Sequence, residues 1–193
     1  MTTDAPSVLE TTEPALPRVY LIAVQSLDGF ITRGERPGSG FASQADQVWF
    51  RGALAQMDAV IMGAGTYLAS RERIRAHLTA ERPRYICTRN PAQYSADAVA
   101  DSLFFTRANP ADLVASIAHS GHRQIALVGG GETHARFLAA GCVDELWITI
   151  EPLLFGNGTP LAPGGPDLPL RFLSHEFLSP ETLVLKYEVG SET

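Results

Sequence analysis

The chain has 193 residues, 45% of them hydrophobic, and this length favours a single domain because chains usually divide only above roughly 250 residues. A net charge of −6 argues against a nucleic-acid partner. No apolar run approaches the ~18 residues that cross a bilayer, the N-terminus lacks the pattern of a signal peptide, and two cysteines make no disulfide framework. We therefore expect a cytoplasmic protein.

The N-terminal part of the chain predicts a leader, a strand and a long loop. Residues 1–17 are rich in Thr, Glu and Pro, which is typical of a flexible leader before a single domain at 18–190. VYLIAV (19–24) has the apolar and β-branched content of a strand buried on both faces. The Gly- and Pro-containing stretch 26–41 predicts a long loop, and long loops in compact domains are often functional.

From Ser43 onward, predicted helices and strands alternate. The helices cover 43–57, 66–79, 110–120 and 132–140. The strands cover 59–63, 84–88, 103–106, 124–128 and 143–154, and then 169–178 and 182–189, which a short turn joins as a hairpin. This order predicts an α/β fold whose mixed sheet is mainly parallel, with antiparallel strands at the C-terminus.

Two glycine turns, each between a predicted strand and a predicted helix, are candidates for binding phosphate. Glycine lets a phosphate approach the backbone, and the helix N-terminus after it offers unpaired N–H groups and partial positive charge. A tight turn or a helix start without any ligand explains each turn about equally well. The turns consist of Gly63, Ala64, Gly65 and Thr66, and of Gly129, Gly130, Gly131, Glu132 and Thr133.

Thr88 and Arg89 follow a third predicted strand. A hydroxyl beside a guanidinium suits the 2′-phosphate that distinguishes NADPH from NADH. Ligands of open α/β sheets bind beyond the carboxyl ends of the strands, where all three of these segments are expected. Taken alone, an arginine in a turn such as Arg89 is usually just a surface residue.

Asp46 lies on an otherwise apolar stripe of the first predicted helix, which also carries Trp49 and Phe50. A carboxylate in such a place is expected to have a raised pKa and could donate a proton or orient a substrate. Alternatively, Ser43-x-x-Asp46 is a capping arrangement at the start of the helix. Asp28, in the sequence SLDG, is a weaker candidate because Asp-Gly is a common turn pair. The five histidines show no metal spacing, so we expect no metal site.

Several segments, in order and spacing, resemble dihydrofolate reductases: ADQVWFR (45–51), AVIMGAGTY (59–67), YICTRNP (85–91) and LVGGGE (127–132). The segment 129–158 and the SLDG sequence look more like the reductase domain of bacterial riboflavin synthesis. Both families share one fold, with helices on both faces of the sheet, and both use NADPH. The resemblance runs from about Val19 to Val189 and implies this three-layer α/β/α fold.

On the substrate side, the resemblance implies that Asp46 orients and helps to protonate the heterocycle. Phe50 matches an aromatic residue that packs on the substrate, and Thr149 matches a strand threonine linked to the acid. Asp28 belongs to the loop that resembles the riboflavin-type substrate site, and Arg82 lies near the arginine that binds the glutamate tail of folate.

On the cofactor side, Val24 matches a strand residue whose backbone meets the nicotinamide amide. The two glycine turns and the Thr88-Arg89 pair match the segments that bind the cofactor phosphates. The resemblance therefore implies NADPH as the cofactor.

The chain also departs from the riboflavin-type pattern at positions that contact the substrate. Ala55, Gln56 and Met57 stand where Leu-Arg-Ala is usual, and that arginine contacts the substrate phosphate. Ser70 replaces an acid that follows the first glycine turn, and Val128 replaces a glutamate before the second. The resemblance therefore keeps the cofactor positions and leaves the identity of the substrate open.

These features together predict an NADPH-dependent reductase that transfers hydride to a small nitrogen heterocycle of pyrimidine or pterin type. One alternative is a nucleotide-binding module without turnover. Another is a Rossmann-type NAD dehydrogenase, because Gly129-x-Gly131 with Glu151 imitates its fingerprint, although His134 stands at the third glycine position. A homodimer could form through loop 156–166 and the final strands.

Overall fold

The first strand of the chain lies near the middle of the sheet. The computed structural model describes residues 17–190, so the predicted leader at 1–17 lies outside the described residues apart from Pro17. β1 (Arg18–Ser26) pairs in parallel with β5 (Gln124–Leu127) on one side and with β6 (Glu145–Glu151) on the other. Its apolar sequence fits a strand that is covered on both faces.

The sheet has eight strands in the order β4-β3-β2-β5-β1-β6-β8-β7. β1 to β6 run parallel, whereas β8 is antiparallel to β6 and β7 is antiparallel to β8. The predicted mixed, mainly parallel sheet is thereby confirmed. The remaining strands are β2 (Ala59–Gly63), β3 (Arg84–Cys87), β4 (Leu103–Thr106), β7 (Leu170–Phe177) and β8 (Leu183–Val189).

This strand order differs from the 3-2-1-4-5-6 order of Rossmann dehydrogenases, so the Rossmann alternative is wrong. Glu151, the acid of that apparent fingerprint, ends β6, and β1 separates β6 from β5 and the glycine turn that follows β5. The residues of the apparent fingerprint have the right spacing in the sequence, but the fold does not place them as in a Rossmann dehydrogenase.

Helices cover both faces of the sheet and create two cores. Alternate residues of a strand face opposite sides, so Leu21 packs in one core and Ile22 in the other. The core of Leu21 also contains Phe137 of α5 (Gly131–Ala139) and residues of α4 (Pro110–His119). The core of Ile22 contains Ala53 of α1 (Gln44–Ala55) and Tyr67 of α2 (Ala64–Ala69). The arrangement is the three-layer α/β/α fold that the resemblance implied.

The helix predicted at 66–79 is the one element whose form was wrong. The chain forms two short helices, α2 and then α3 (Arg71–Arg75), and the backbone at Ser70 leaves the helical region with φ −132° and ψ 18°. Asp97, from a distant loop, accepts hydrogen bonds from Tyr67 at 3.0 Å and from Arg71 Nε at 2.9 Å. One carboxylate thus joins both helices, a contact that local sequence patterns do not encode.

Within residues 17–190, no helix is long and apolar enough to cross a membrane.

Candidate active site

Three loops meet at the carboxyl edge of the sheet, after the adjacent strands β3, β2 and β5. Gly63, the last residue of β2, pairs with Cys87 of β3, so Thr88-Arg89 lies next to the first glycine turn. The Gly63 N–H donates to the carbonyl of Gly129 at 2.7 Å, which joins the first glycine turn to the second. The three segments predicted to bind phosphate are therefore neighbours.

The two glycine turns pack so closely that side chains are excluded between them. A Cβ atom on Gly63 would lie 2.5 Å from Thr133 Oγ1, a distance that real Cβ contacts do not reach. A Cβ atom on Gly129 or Gly130 would lie 3.4 Å from Thr66 Oγ1. Each turn thus places a threonine hydroxyl against the glycines of the other, and both helices that follow begin without a side-chain cap.

Thr88 and Arg89 border this region on the β3 side. The Thr88 hydroxyl accepts a hydrogen bond from the Asn90 N–H at 3.2 Å, as in a turn stabilised by its own side chain. Arg89 is exposed, and no carboxylate within residues 17–190 lies within 4.0 Å of its guanidinium. Its positive charge is therefore not neutralised by an ion pair in the described chain.

Asp46 lies at the start of α1 in a position compatible with both interpretations of its sequence. Ser43 is the N-cap of α1, and its hydroxyl accepts from the backbone N–H of Asp46 at 3.2 Å. The Asp46 side chain is only 5% exposed. Burial raises the pKa of this carboxyl, and the nearby Glu151 carboxylate raises it further, while the Thr149 hydroxyl lowers it. Capping uses the Asp46 backbone, which leaves the carboxyl available for chemistry.

Thr149 lies fully buried in β6, directly beside Asp46. Its hydroxyl faces the Asp46 carboxyl closely enough to lower the pKa of Asp46, yet it forms no hydrogen bond of standard geometry with any group in residues 17–190. Thr149 pairs with Val24 in the β1–β6 register. Phe50, one turn after Asp46, is half-buried against the core on the same face of the sheet. These four predicted residues are thus brought together.

Asp28 and Arg82 are occupied by protein partners. Asp28 accepts from the Ser26 hydroxyl at 2.5 Å and from the N–H groups of Phe155 and Gly156 at 3.1 and 2.7 Å. These bonds, led by that of Ser26, lower the pKa of Asp28. The Arg82 guanidinium donates to the carbonyl of Leu54 at 2.7 Å. Asp28 ties two loops together, which is the turn role that the sequence allowed, and its role toward a substrate stays a prediction.

Comparison with known proteins identifies the family. The model of the RibD C-terminal domain matches residues 17–184, nearly the whole described chain. The chain belongs to the RibD C-terminal domain family. The family is the reductase domain of the riboflavin pathway, so membership implies an oxidoreductase and confirms the riboflavin-type resemblance. No curated protein sequence matches the chain.

Solved structures share the fold at low sequence identity. A pyrimidine reductase-like protein from Corynebacterium diphtheriae is 16% identical, with a TM-score of 0.70 over 91% of this chain and 93% of that protein. A deaminase/5-amino-6-(5-phosphoribosylamino)uracil reductase from Thermotoga maritima is 18% identical, with a TM-score of 0.71 over 91% of this chain and 57% of that protein. Dihydrofolate reductase from Enterococcus faecalis, complexed with NADP(H), is 14% identical, with a TM-score of 0.63 over 90% and 97%.

In this RibD-type domain, two buried polar residues lie near the site that were named above only for the Rossmann alternative and were not predicted as site residues. Glu151 is 3% exposed and takes hydrogen bonds from the Ser43 N–H and the Thr182 hydroxyl. It could have been found by counting two residues from Thr149, because alternate strand residues share a face.

The second missed residue is His134, 1% exposed behind the second glycine turn. Its Nδ1 lies 2.8 Å from the carbonyl of Leu161, and its Nε2 has no hydrogen-bond partner in residues 17–190. Burial lowers the pKa of His134 to about 4, so the ring is neutral and Nδ1 is the donor. No local pattern indicates that loop 152–169 covers this side chain, so its burial was not predictable from the sequence.

Proposed function

We propose that this protein is an NADPH-dependent reductase that transfers hydride to a small nitrogen heterocycle of pyrimidine or pterin type. The observation that carries the proposal is the joint placement of the two glycine turns and Arg89 on one stretch of the carboxyl edge, with the Asp46–Thr149 pair beside β1 and β6. The Thermotoga maritima protein is by name a pyrimidine-type reductase, and the Enterococcus faecalis enzyme is complexed with NADP(H).

The glycine turns fit the phosphate groups of a dinucleotide. The absence of a Cβ at Gly63 lets the Thr133 hydroxyl of the second turn pack against the first turn, and the N-terminus of α5 presents backbone N–H groups that no side chain in residues 17–190 caps. The hydroxyls of Thr66 and Thr133 supply further donors at the same place. Glu132 is exposed in the first turn of α5, so its contribution would come from its backbone N–H.

Arg89 would select NADPH over NADH. An unpaired, exposed guanidinium next to the glycine turns suits a 2′-phosphate, and a charge-assisted contact of this kind is worth about 1.5–3 kcal/mol. When bound, the cofactor would supply the hydride. The backbone of Val24 would meet the nicotinamide amide, since this strand residue lies beside Thr149.

Asp46 would donate the proton that accompanies the hydride. Burial raises the pKa of its carboxyl, which brings Asp46 closer to the protonated acid that such a step requires. Thr149 would orient the carboxyl and Phe50 would pack against the heterocycle. The long loop 26–42, tied to the Phe155–Gly156 turn through Asp28, would act as a lid.

The cofactor part is tested by fluorescence titration with NADPH and with NADH. Wild type should bind NADPH more tightly, and Arg89→Ala should weaken NADPH binding by about 10-fold or more while leaving NADH binding unchanged. Arg171→Ala is the matched control, because this exposed arginine lies on β7 at the opposite edge of the sheet. Equal affinity of wild type for the two cofactors would contradict the proposal.

The chemical part is tested by following NADPH oxidation with dihydrofolate and with amino-pyrimidine substrates. Asp46→Asn should retain NADPH binding and lose roughly 10²- to 10⁴-fold in the rate of reduction, as expected for loss of a general acid. Tight NADPH binding without oxidation by either substrate class would instead favour the nucleotide-binding module.

A homodimer through the C-terminal edge also belongs to this proposal. β7 is an edge strand that is exposed along its whole length, and it presents Leu170, Phe172 and Phe177 to solvent. Exposed apolar edge strands are usually covered in natural proteins. Light scattering should give the mass of two chains for wild type and a lower mass for Phe172→Lys.

A further inference from the structure

A second carboxylate, Glu151, is buried near Asp46 in the same layer of the protein. Glu151 ends β6, is 3% exposed and lies on the same face of the strand as Thr149. Its Oε1 accepts from the backbone N–H of Ser43 at 2.7 Å, and its Oε2 accepts from the Thr182 hydroxyl at 3.2 Å. Both partners are donors, so each carboxylate oxygen of Glu151 accepts one hydrogen bond from the protein.

The surroundings of Asp46 are different. Its backbone N–H is bound by the Ser43 hydroxyl, but no donor within residues 17–190 forms a standard hydrogen bond with its carboxyl. The Thr149 hydroxyl approaches this carboxyl only outside that geometry. The Asp46 residue is therefore largely buried while its carboxyl lacks a standard hydrogen bond from residues 17–190, and burial raises its pKa.

No cation compensates the two carboxylates. Within residues 17–190, no Lys, Arg or His lies within 4.0 Å of either group, and no cluster of side chains fits a metal ion. Lys186, on the neighbouring strand and the same face, packs on the Trp147 ring at 4.0 Å. Two buried like charges without a counter-ion within 4.0 Å in residues 17–190 raise the cost of ionising both, so the pair holds its last proton more firmly than an isolated carboxyl would.

The difference in donors decides where this proton resides. Glu151 has two donors and Asp46 has none of standard geometry, so the proton belongs on Asp46. In many enzymes, two titratable groups lie in different surroundings that separate their pKa values, so that one acts as the acid and the other stays an anion.

We propose that Glu151 is a positioning residue which, as a buried anion, holds a proton on Asp46 so that Asp46 enters the reaction as the acid. The part of this proposal that concerns catalysis rests on the proposed function. As a hydride reaches the carbon of a C=N bond, the Asp46 proton passes to the nitrogen, the bond becomes CH–NH, and NADPH is oxidised to NADP⁺. Asp46 is left as a carboxylate and regains its proton from solvent, while Glu151 keeps its charge and touches no substrate.

Glu151→Gln tests this role with little change in shape. The amide oxygen can still accept from Ser43 and the amide N–H₂ can donate to Thr182, so only the charge is lost. In a carboxyl-carbon NMR titration of the full chain, with the Asp46 signal assigned from Asp46→Asn, the Asp46 midpoint should move to lower pH than in wild type, because the charge of Glu151 raises the pKa of Asp46. Thr182→Val removes one hydrogen bond to Glu151 but leaves its carboxyl in place. It should therefore move the Asp46 midpoint to lower pH by a smaller amount than Glu151→Gln does.

Glu145→Gln is the matched control. Glu145 is a buried carboxylate on the same face of β6, where it accepts from Trp147 Nε1 at 2.8 Å and pairs with Arg18 at 3.0 Å. The substitution changes the net charge equally and should leave the Asp46 titration in place. An Asp46 midpoint that does not respond to Glu151→Gln, or that responds equally to Glu145→Gln, would overturn the proposal.

A second readout separates positioning from structural support. With a reducible substrate, kcat/KM should decrease as the pH rises and Asp46 loses its proton. In Glu151→Gln this decrease should begin at a lower pH than in wild type. A purely structural role would lower kcat/KM equally at every pH and would refute the inference. The NMR titration needs neither cofactor nor substrate. If Glu151→Gln shifts it while Asp46→Asn still reduces substrate at the wild-type rate, the proposed function fails and the coupled pair stands.

Discussion

Acid should destabilise the protein partly through one buried side chain, His134. Burial lowers the pKa of this histidine from its ordinary value of 6.5 to about 4 in the folded state. Between these two values the unfolded chain binds a proton that the folded chain does not, so stability is fully present above about pH 6.5 and is lost as the pH falls toward about 4. At about 1.36 kcal/mol per pH unit, the complete loss amounts to about 3 kcal/mol.

Urea unfolding at a series of pH values, in wild type and in His134→Asn, measures this loss. Asparagine can still donate an amide N–H toward the Leu161 carbonyl, but it does not titrate. Other groups also titrate as the pH falls, so the informative quantity is the difference between the two proteins. That difference should change by about 3 kcal/mol between about pH 7 and about pH 4, with wild type losing more.

His119→Asn provides the matched control. His119 also hydrogen-bonds a backbone carbonyl, that of Ala115 at 2.8 Å, but it is exposed on α4. Its replacement removes an exposed histidine and should not reproduce the difference expected between wild type and His134→Asn. Parallel curves of stability against pH for wild type and His134→Asn would refute the reasoning, because they would mean that folding does not keep this ring neutral.

Two further predictions concern the ends of helices near the site. Gly131→Ala should destabilise the protein by about 1–3 kcal/mol in urea unfolding, because its Cβ would lie 2.6 Å from the backbone oxygen of Pro160; Gly65→Ala, where the Cβ meets nothing within 4 Å, should be neutral or stabilising. If both variants lose stability equally, close packing at Gly131 is not the cause. Ser43→Ala should cost about 1 kcal/mol by removing the N-cap of α1. Asn109→Ala, at the N-cap of α4, should cost a similar amount, and no loss in either variant would contradict the capping geometry.

The sequence predicted the elements because their signals are local. Apolar runs marked the strands, and glycine turns marked the junctions between strands and helices. The contacts that join the two helices on either side of Ser70 could not be predicted, because they are made by Asp97, which lies more than twenty residues away along the chain. The burial of His134 depends in the same way on a distant loop.

The candidate site was predictable only in parts. Asp46 was visible because an acid on an apolar helical stripe is unusual, and the glycine turns were visible because of their composition. The position of Glu151 beside Asp46 was not predicted, because it depends on the pairing of β6 with β1 and on the contact of β6 with the N-terminus of α1. Thr149 and Glu151 are two residues apart on one strand and so face the same side of the sheet, and this spacing could have indicated that Glu151 lies near the site.

The strand order also limits what kind of ligand could serve both parts of the site. Arg89 follows β3, whereas Thr149 lies in β6, four strands further along the order β3-β2-β5-β1-β6. Neighbouring strands are about 4.8 Å apart, so a single ligand must extend over about 19 Å to touch both ends. A mononucleotide is too short for this span, and an extended dinucleotide is required. A fragment that carries only the adenosine and its 2′-phosphate should therefore bind in an Arg89-dependent way without altering the titration of Asp46.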